Sequence, residues 1–145
     1  MLAALEAAGP VAWLRASSLA YPLVNAGHIL GLALLVGAVI PILRVLGAMR
    51  GPDLAATVAF LRRTAMAGLV LAAVCGAALF AVQATDYAAN LWFRATLALL
   101  ILALANAALH WRLADMPPAR ARRAAALSLL LWPAVLVAGR MIAYS

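Results

Sequence analysis

Residues 16–43 read ASSLAYPLVNAGHILGLALLVGAVIPIL, a stretch with no acid, arginine or lysine, bounded by Arg15 and Arg44. A helix rises about 1.5 Å per residue, so roughly 20 such residues cross the hydrocarbon layer of a bilayer. Three more uncharged stretches follow. Thr64 to Thr85 lies between Arg63 and Asp86, Ala95 to Trp111 between Arg94 and Arg112, and Ala124 to Gly139 between Arg123 and Arg140. The first two stretches of the chain suffice as they stand. The third does once Leu91, Trp92 and Phe93 are included and Arg94 snorkels to the interface. The fourth needs the tail Met141 to Tyr144, with Arg140 either snorkelling outward or paired inside the bundle. The expectation is a single integral membrane domain over residues 1–145, with spans at about 17–43, 62–85, 91–112 and 124–143.

Composition points the same way. Of the 145 residues 69% are hydrophobic and 10% charged, with a mean hydropathy of +1.08. Soluble domains average about 45–50% apolar and about 25% charged residues. A small domain buries only about two-thirds of the surface of its open chain, so in water much apolar surface would stay exposed. Disorder requires the opposite composition. A membrane protein remains.

All eleven basic residues are arginine, and against four acids they give a net charge of +7. The arginines stand at the ends of apolar runs, where they meet lipid headgroups, and no basic stretch is interleaved with aromatics for stacking on bases. Nucleic acid is therefore excluded as a partner. Short arginine-rich loops stay in the cytoplasm. Arg44, Arg50, Arg62 and Arg63 lie between the first two spans, and Arg112, Arg120, Arg122 and Arg123 between the last two. The opposite side has Arg15, Arg94 and Arg140. Both termini are thus expected on the outer face of a bacterial inner (cytoplasmic) membrane. Trp13, Tyr21, Tyr87, Trp92, Phe93 and Tyr144 fall at that outer edge, as an aromatic belt would. Asp86 and Arg94 bracket the outer link and are placed to pair.

The first fifteen residues lack the basic start and small-residue cleavage site of a secretory signal, and Glu6 and Pro10 interrupt them. One short interfacial helix carrying Leu2, Leu5, Trp13 and Leu14 is expected there. Cys75, the only cysteine, lies mid-span and reads as a small packing residue. In lipid, helices associate through small residues and interhelical hydrogen bonds. The packing candidates are Gly27 and Gly31 on the first span, and Gly68, Ala72 and Gly76 on the second. Ala103 and Ala107 form a stripe beside Asn106 on the third. Ser128, Ala134 and Ala138 serve the fourth. Short links favour antiparallel neighbours, so the expected fold is all-α: an up-down bundle of four transmembrane helices with a short N-terminal interfacial helix. The corner Gly51-Pro52-Asp53 should break the chain, with Asp53 capping a second helix that starts near Leu54. Pro22, Pro41 and Pro133 should each start or bend a helix, and Met116-Pro117-Pro118 separates the last two spans.

Polar groups inside a membrane are costly, which makes each a functional suspect. They are Asn25, His28, Gln83, Thr96, Asn106, His110 and Arg140. Asn25 and His28 share a face at three-residue spacing, and His28 lies beside the Gly27/Gly31 stripe, so it should point into the bundle. His28, supported by Asn25, is the candidate cofactor-binding or metal-ligating residue; the structural alternative is a neutral histidine hydrogen-bonded to a neighbouring helix. His110 lies near the cytoplasmic end of the third span, ~15 Å from the depth of His28, too far for both to hold one haem. His110, with Trp92, Arg94, Trp111 and Arg112, reads as an interfacial anchor. No Ser/His/Asp grouping, paired carboxylates or phosphate loop is present, and no acid lies mid-membrane.

Trp13-Leu14 to Ser18, Tyr21-Pro22-Leu23-Val24-Asn25, His28-Ile29-Leu30-Gly31 through Val36-Gly37, and Leu43-Arg44-Val45-Leu46-Gly47 resemble an uncharacterised family of bacterial four-helix membrane proteins. Tyr87, Asn90, Phe93-Arg94 and Asn106 to His110 are similar to its third-helix pattern. The likeness covers residues 13–112 and extends, distantly, to the membrane domain of copper-resistance D proteins and to haem-associated four-helix membrane proteins. Ile42 stands where that family tends to have an acid, and Thr96 where it tends to have a lysine. In the haem-associated bundles a first-helix histidine and a third-helix lysine are implicated together. By the resemblance His28 would be kept here and the lysine lost. Haem b, and after it copper, are the cofactors this would imply. The reading adopted is a non-catalytic membrane subunit or anchor, partnered by lipid and by another membrane or periplasmic protein or a second copy. Its rivals are a haem- or copper-handling redox or transport component centred on His28 and a small-solute transporter dependent on Asn25.

Overall fold

The computed structural model describes residues 1–144. It consists of seven α-helices: α1 (Leu2–Glu6), α2 (Gly9–Ala16), α3 (Ala20–Ala48), α4 (Gly51–Val82), α5 (Ala84–Ala89), α6 (Leu91–Leu109) and α7 (Pro118–Met141). Short 3-10 turns at Leu113–Asp115 and Ile142–Tyr144 complete it, and no strand occurs among the described residues. Four helices, α3, α4, α6 and α7 with its terminal turn, are long and apolar enough to cross a membrane. At about 1.5 Å per residue the 32 residues of α4 span roughly 48 Å, against a hydrocarbon layer of about 30 Å.

Three local expectations are corrected. The N-terminal segment forms two short helices instead of one, because Gly9 and Pro10 open a new helix after an extended Ala8. Asp53 is not the cap of α4. The helix starts at Gly51, Asp53 lies within its first turn, and the cap position falls to Arg50, which caps with no side-chain bond. Gly51 takes φ +66°, a conformation open to glycine and strained for other residues, so the corner closes three residues earlier than expected. Asp86 and Arg94 do not pair; among the described residues the ion pair is Arg112–Asp115, at 2.9 Å. Pro41 and Pro133 lie inside α3 and α7, which continue through them.

Helix α3 organises the rest. Against α4 it runs antiparallel, and the partners descend in order: Gly27 on Cys75, His28 on Gly76, Gly31 on Ala72 and Gly68, Leu35 on Gly68. A methyl group placed on Gly31 would stand 2.5 Å from the Ala72 backbone nitrogen, and one on Gly68 2.6 Å from the Gly31 carbonyl oxygen. Backbone thus meets backbone with no room for a side chain, the contact that small residues permit between helices. On its other flank α3 meets α7, with Ile42 and Leu46 beside Ala121, Ala124 and Ala125, and Leu35 and Val39 beside Trp132 and Val135. Helix α7 in turn packs on α6, where Asn106 reaches Ala124 and Ser128 at one end and Thr96 lies near Gly139 at the other.

The packing order is α4–α3–α7–α6, and α4 and α6 share no extended contact. Successive spans two and three were expected to be neighbours; instead α5 intervenes in the chain between them. At one end Phe80 of α4 stacks on Phe93 of α6 (5.2 Å), with Tyr87 of α5 beside both. At the other end Arg62 reaches across to the last turn of α6. The bundle is an arc with its gap between α4 and α6.

Gly31→Ala and Gly68→Ala must each push α3 off α4 and should cost about 1–3 kcal/mol, the range for overpacking. Gly37→Ala, whose methyl group meets nothing within 4 Å, should be neutral or mildly stabilising. Unfolding of the purified chain in mixed detergent micelles measures both.

Candidate functional site

His28 lies on the α3–α4 seam. Its Nδ1 stands 2.8 Å from the Ala72 carbonyl oxygen, an atom that only accepts, so Nδ1 carries the proton and donates. The ring edge rests on Gly76, where a methyl group would come within 3.0 Å of Cε1. This bond satisfies one ring nitrogen inside the helix contact and leaves Nε2 as the remaining donor to any metal. Asn25 is not brought to the same place. It is exposed on the outward face of α3 and its side chain makes no hydrogen bond among the described residues. The expected His28/Asn25 pair is therefore not assembled, because the seam narrows to the Gly27/Gly31 edge and Asn25 lies off it.

Helix α4 serves as a ruler for depth. His28 stands beside Ala72, whereas the His110 carbonyl accepts from Arg62 Nη1 at 3.0 Å. Ten residues of α4 separate those levels, about 15 Å. The two histidines thus attach to points of α4 ten residues apart, and among the described residues no group of three metal-ligating side chains occurs.

A second polar set lies at the far end of the gap. The Arg62 guanidinium donates to the His110 and Ala107 carbonyls, at 3.0 and 3.3 Å, and lies 4.7 Å from the Trp111 ring centroid. It thereby satisfies the last carbonyls of α6 and sits favourably at the negative end of that helix. His110 Nδ1 donates to the Asn106 carbonyl at 2.8 Å. Asn106 itself is 5% exposed, the one buried polar residue described. Its Nδ2 donates to the Ala124 carbonyl (3.0 Å) and to Ser128 Oγ (2.8 Å). Because a carbonyl can only accept, this contact also fixes which way the amide points. Its Oδ1 is then left buried without a partner. An unsatisfied buried acceptor costs about 1–3 kcal/mol.

These groups border a cavity of about 100 Å³, walled mainly by apolar side chains from all four long helices, among them Leu35, Leu69 and Trp132. Sequence reading placed Asn106 beside a packing stripe and, with His110, among the polar suspects, His110 also among the anchors and Arg62 in the topology count, without joining Arg62 to the other two. The signal was present in part: Asn106 and His110 stand four residues apart on one helix face. The Arg62 contribution comes from a different helix and had no local signature. Of the other anchors, Trp92, Arg94, Trp111 and Arg112 are exposed near the ends of α6. Arg140 turns outward onto Tyr144, donating to its hydroxyl at 3.1 Å.

The N-terminal arm is tied to the opposite end of the bundle. Arg15 donates to the Val82 carbonyl at the end of α4, and Glu6 Oε1 accepts from the Thr85 backbone N–H at 2.7 Å. The backbone N–H of Thr85, then its side chain, and more weakly the charge of Arg15 hold the Glu6 carboxyl below its ordinary value of 4.5. A carboxyl depressed in the folded chain stabilises it above the unfolded value, and the contribution disappears as pH falls through the lower, folded value. Docking of the arm should therefore be intact at neutral pH and loosen below about pH 4.5. Glu6→Gln should abolish that acid response. Amide exchange at Thr85 as a function of pH checks both outcomes.

Family models, curated proteins and solved structures were all compared with this chain, and none matches it.

Proposed function

We propose that this chain is a multi-pass protein of a bacterial inner membrane that works as a non-catalytic subunit, docking another membrane protein on the outward face of α3. Four helices of spanning length and apolarity support the membrane setting. The alternating, antiparallel contacts of α3, α4, α7 and α6 suit an up-down crossing. Eight of the eleven arginines belong to the two links at one end of the bundle, which the positive-inside rule would keep in the cytoplasm, with both termini outside.

The observation that carries the docking role is the position of Asn25. Helical spacing puts Asn25, Ala26, Ile29, Ala33, Gly37 and Ile40 within one arc of α3, opposite the seam with α4. All of them are exposed. A carboxamide facing lipid has no partner for its donors or acceptor, and polar residues in spans ordinarily turn toward protein. Beside it, Ala33 and Gly37 repeat at four-residue spacing, the arrangement that lets a second helix approach closely. Gly37 has nothing within 4 Å of the place its side chain would occupy. Little of the long helices is used internally: 33% of the apolar window in α3 and 11% of that in α6 is buried. The same placement of Asn25 removes it from the cavity, so a solute path depending on it lacks support.

A photo-crosslinking residue at position 37, in native membranes, should give an adduct with one defined membrane protein. The same residue at position 130, where Leu130 is 70% exposed on α7, should not. Asn25→Leu should weaken the association about threefold to thirtyfold, as loss of ~0.6–2 kcal/mol of interhelical hydrogen bonding implies. Adducts with lipid alone, or equal yields at both positions, would overturn the reading; a self-adduct would replace the partner by a second copy. Labelling of single cysteines at positions 48 and 115 from the cytoplasmic side tests the orientation.

A further inference from the structure

A second recess, of about 480 Å³, lies where α4 passes the end of α6, and partner docking on α3 makes no use of it. Its walls come from α4 and from residues 111–115, which follow α6. Sites for small molecules commonly hold about 300–1,000 Å³. Three guanidiniums line this one, those of Arg62, Arg63 and Arg112, against the single carboxylate of Asp115.

The charges do not cancel. Asp115 is engaged by Arg112 Nε at 2.9 Å. Arg63 is exposed, and its side chain makes no hydrogen bond or ion pair among the described residues. Arg62 donates to the Ala107 and His110 carbonyls, which are neutral and leave its charge in place. A guanidinium carries five N–H donors in a planar fork, so each of the three keeps donors open. A recess with surplus positive charge and open donors is complementary to an anion rich in acceptor oxygens, and arginine suits phosphate in particular.

Two features choose a lipid over a soluble phosphate. The 19 residues of α6 cover roughly 29 Å, close to the hydrocarbon thickness of about 30 Å. In a membrane the end of α6, and Arg62 bonded to it, therefore reach the level of the headgroups. The exposed Trp111 ring, 4.7 Å below the Arg62 guanidinium, is the residue type favoured there. The second feature is continuity. Met66, one turn along α4 from Arg62, lines both this recess and the apolar cavity between α4 and α6, and is 45% exposed. The wall thus turns from charged to apolar toward the gap of the arc, as a headgroup followed by an acyl chain requires. A zwitterionic headgroup would bring an ammonium into the same surplus of positive charge. Basic pockets at the ends of spanning helices are where anionic headgroups bind.

We propose that this recess binds the phosphodiester headgroup of an anionic phospholipid, with Arg62, Arg63 and Arg112 as donors and an acyl chain lying over Met66 in the gap between α4 and α6. The proposal rests on the membrane setting given above and is independent of the docking face on α3. The test places the full chain in phosphatidylcholine nanodiscs with a trace of phosphatidylglycerol carrying a photoreactive diazirine in its acyl chain. A parallel sample carries the same diazirine chain on phosphatidylcholine.

Both probes should label Leu130, which is 70% exposed on α7, and so report that the chain is in the bilayer. Relative to Leu130, the phosphatidylglycerol probe should label Met66 roughly tenfold more than the phosphatidylcholine probe. A guanidinium near a membrane surface contributes about fivefold in affinity for anionic lipid, so Arg63→Gln with Arg112→Gln should remove that excess. Arg120→Gln with Arg122→Gln takes the same charge from the neighbouring α7, outside the recess, and should leave the excess in place. Equal labelling of Met66 by the two probes, or equal losses from the two arginine pairs, would overturn the proposal. So would displacement of the probe by glycerol phosphate as effectively as by unlabelled phosphatidylglycerol, which would make this a site for soluble phosphate. Failure of both probes to label Leu130 would strike the membrane setting, and the proposal with it. The comparison of probes on the unaltered chain decides the matter even where a substituted chain fails to fold.

Discussion

Backbone contact between α3 and α4 is the constraint on which the other features depend. In a bilayer, apolar side chains gain little by leaving lipid for protein, so helices hold together through close packing and hydrogen bonds. Gly31 against Gly68 and Ala72 brings the two backbones to a distance no side chain could share. That approach presses His28 onto Gly76 and within reach of the Ala72 carbonyl. It also turns the opposite arc of α3 outward, taking Asn25 with it.

The same constraint produces the gap. Once α3 is committed to α4 on one flank, α7 takes the other, with small residues Ala121, Ala124 and Ala125 against Ile42 and Leu46. Helix α6 then has α7 as its extended neighbour and reaches α4 only at the ends, through stacked aromatic rings and through Arg62. A closed bundle would have buried the middle of α4 and α6 against each other. The arc leaves a cavity there instead, with Asn106 turned to α7 by two donor bonds and its carbonyl oxygen left over. The unsatisfied atom is a consequence of that geometry, since only the amide nitrogen can answer the Ala124 carbonyl.

Much of this was legible before any coordinates. Uncharged runs between arginines located the four long helices, and small residues at four-residue spacing marked the faces on which α3 and α4 meet. Errors arose where a local rule competed with another local rule. Asp53 is a good capping residue in a good position, but Gly51 adopts positive φ and starts the helix before it. Asn25 and His28 satisfy the spacing for a shared face, yet the seam is so narrow that three residues of helix rotation separate a buried contact from an outward one.

Hydrophobicity and charge are properties of single positions and their spacing along one helix, so the sequence by itself determined the number of long apolar helices, their approximate limits and the uneven placement of arginine. Which helices become neighbours is a different kind of fact. It depends on shape matching between surfaces far apart in the chain, and glycines on two helices must coincide in height as well as in spacing. Only the tertiary structure decided that α4 and α6 stand apart, that Arg62 meets His110 across 48 positions, and that the one buried amide keeps an acceptor open.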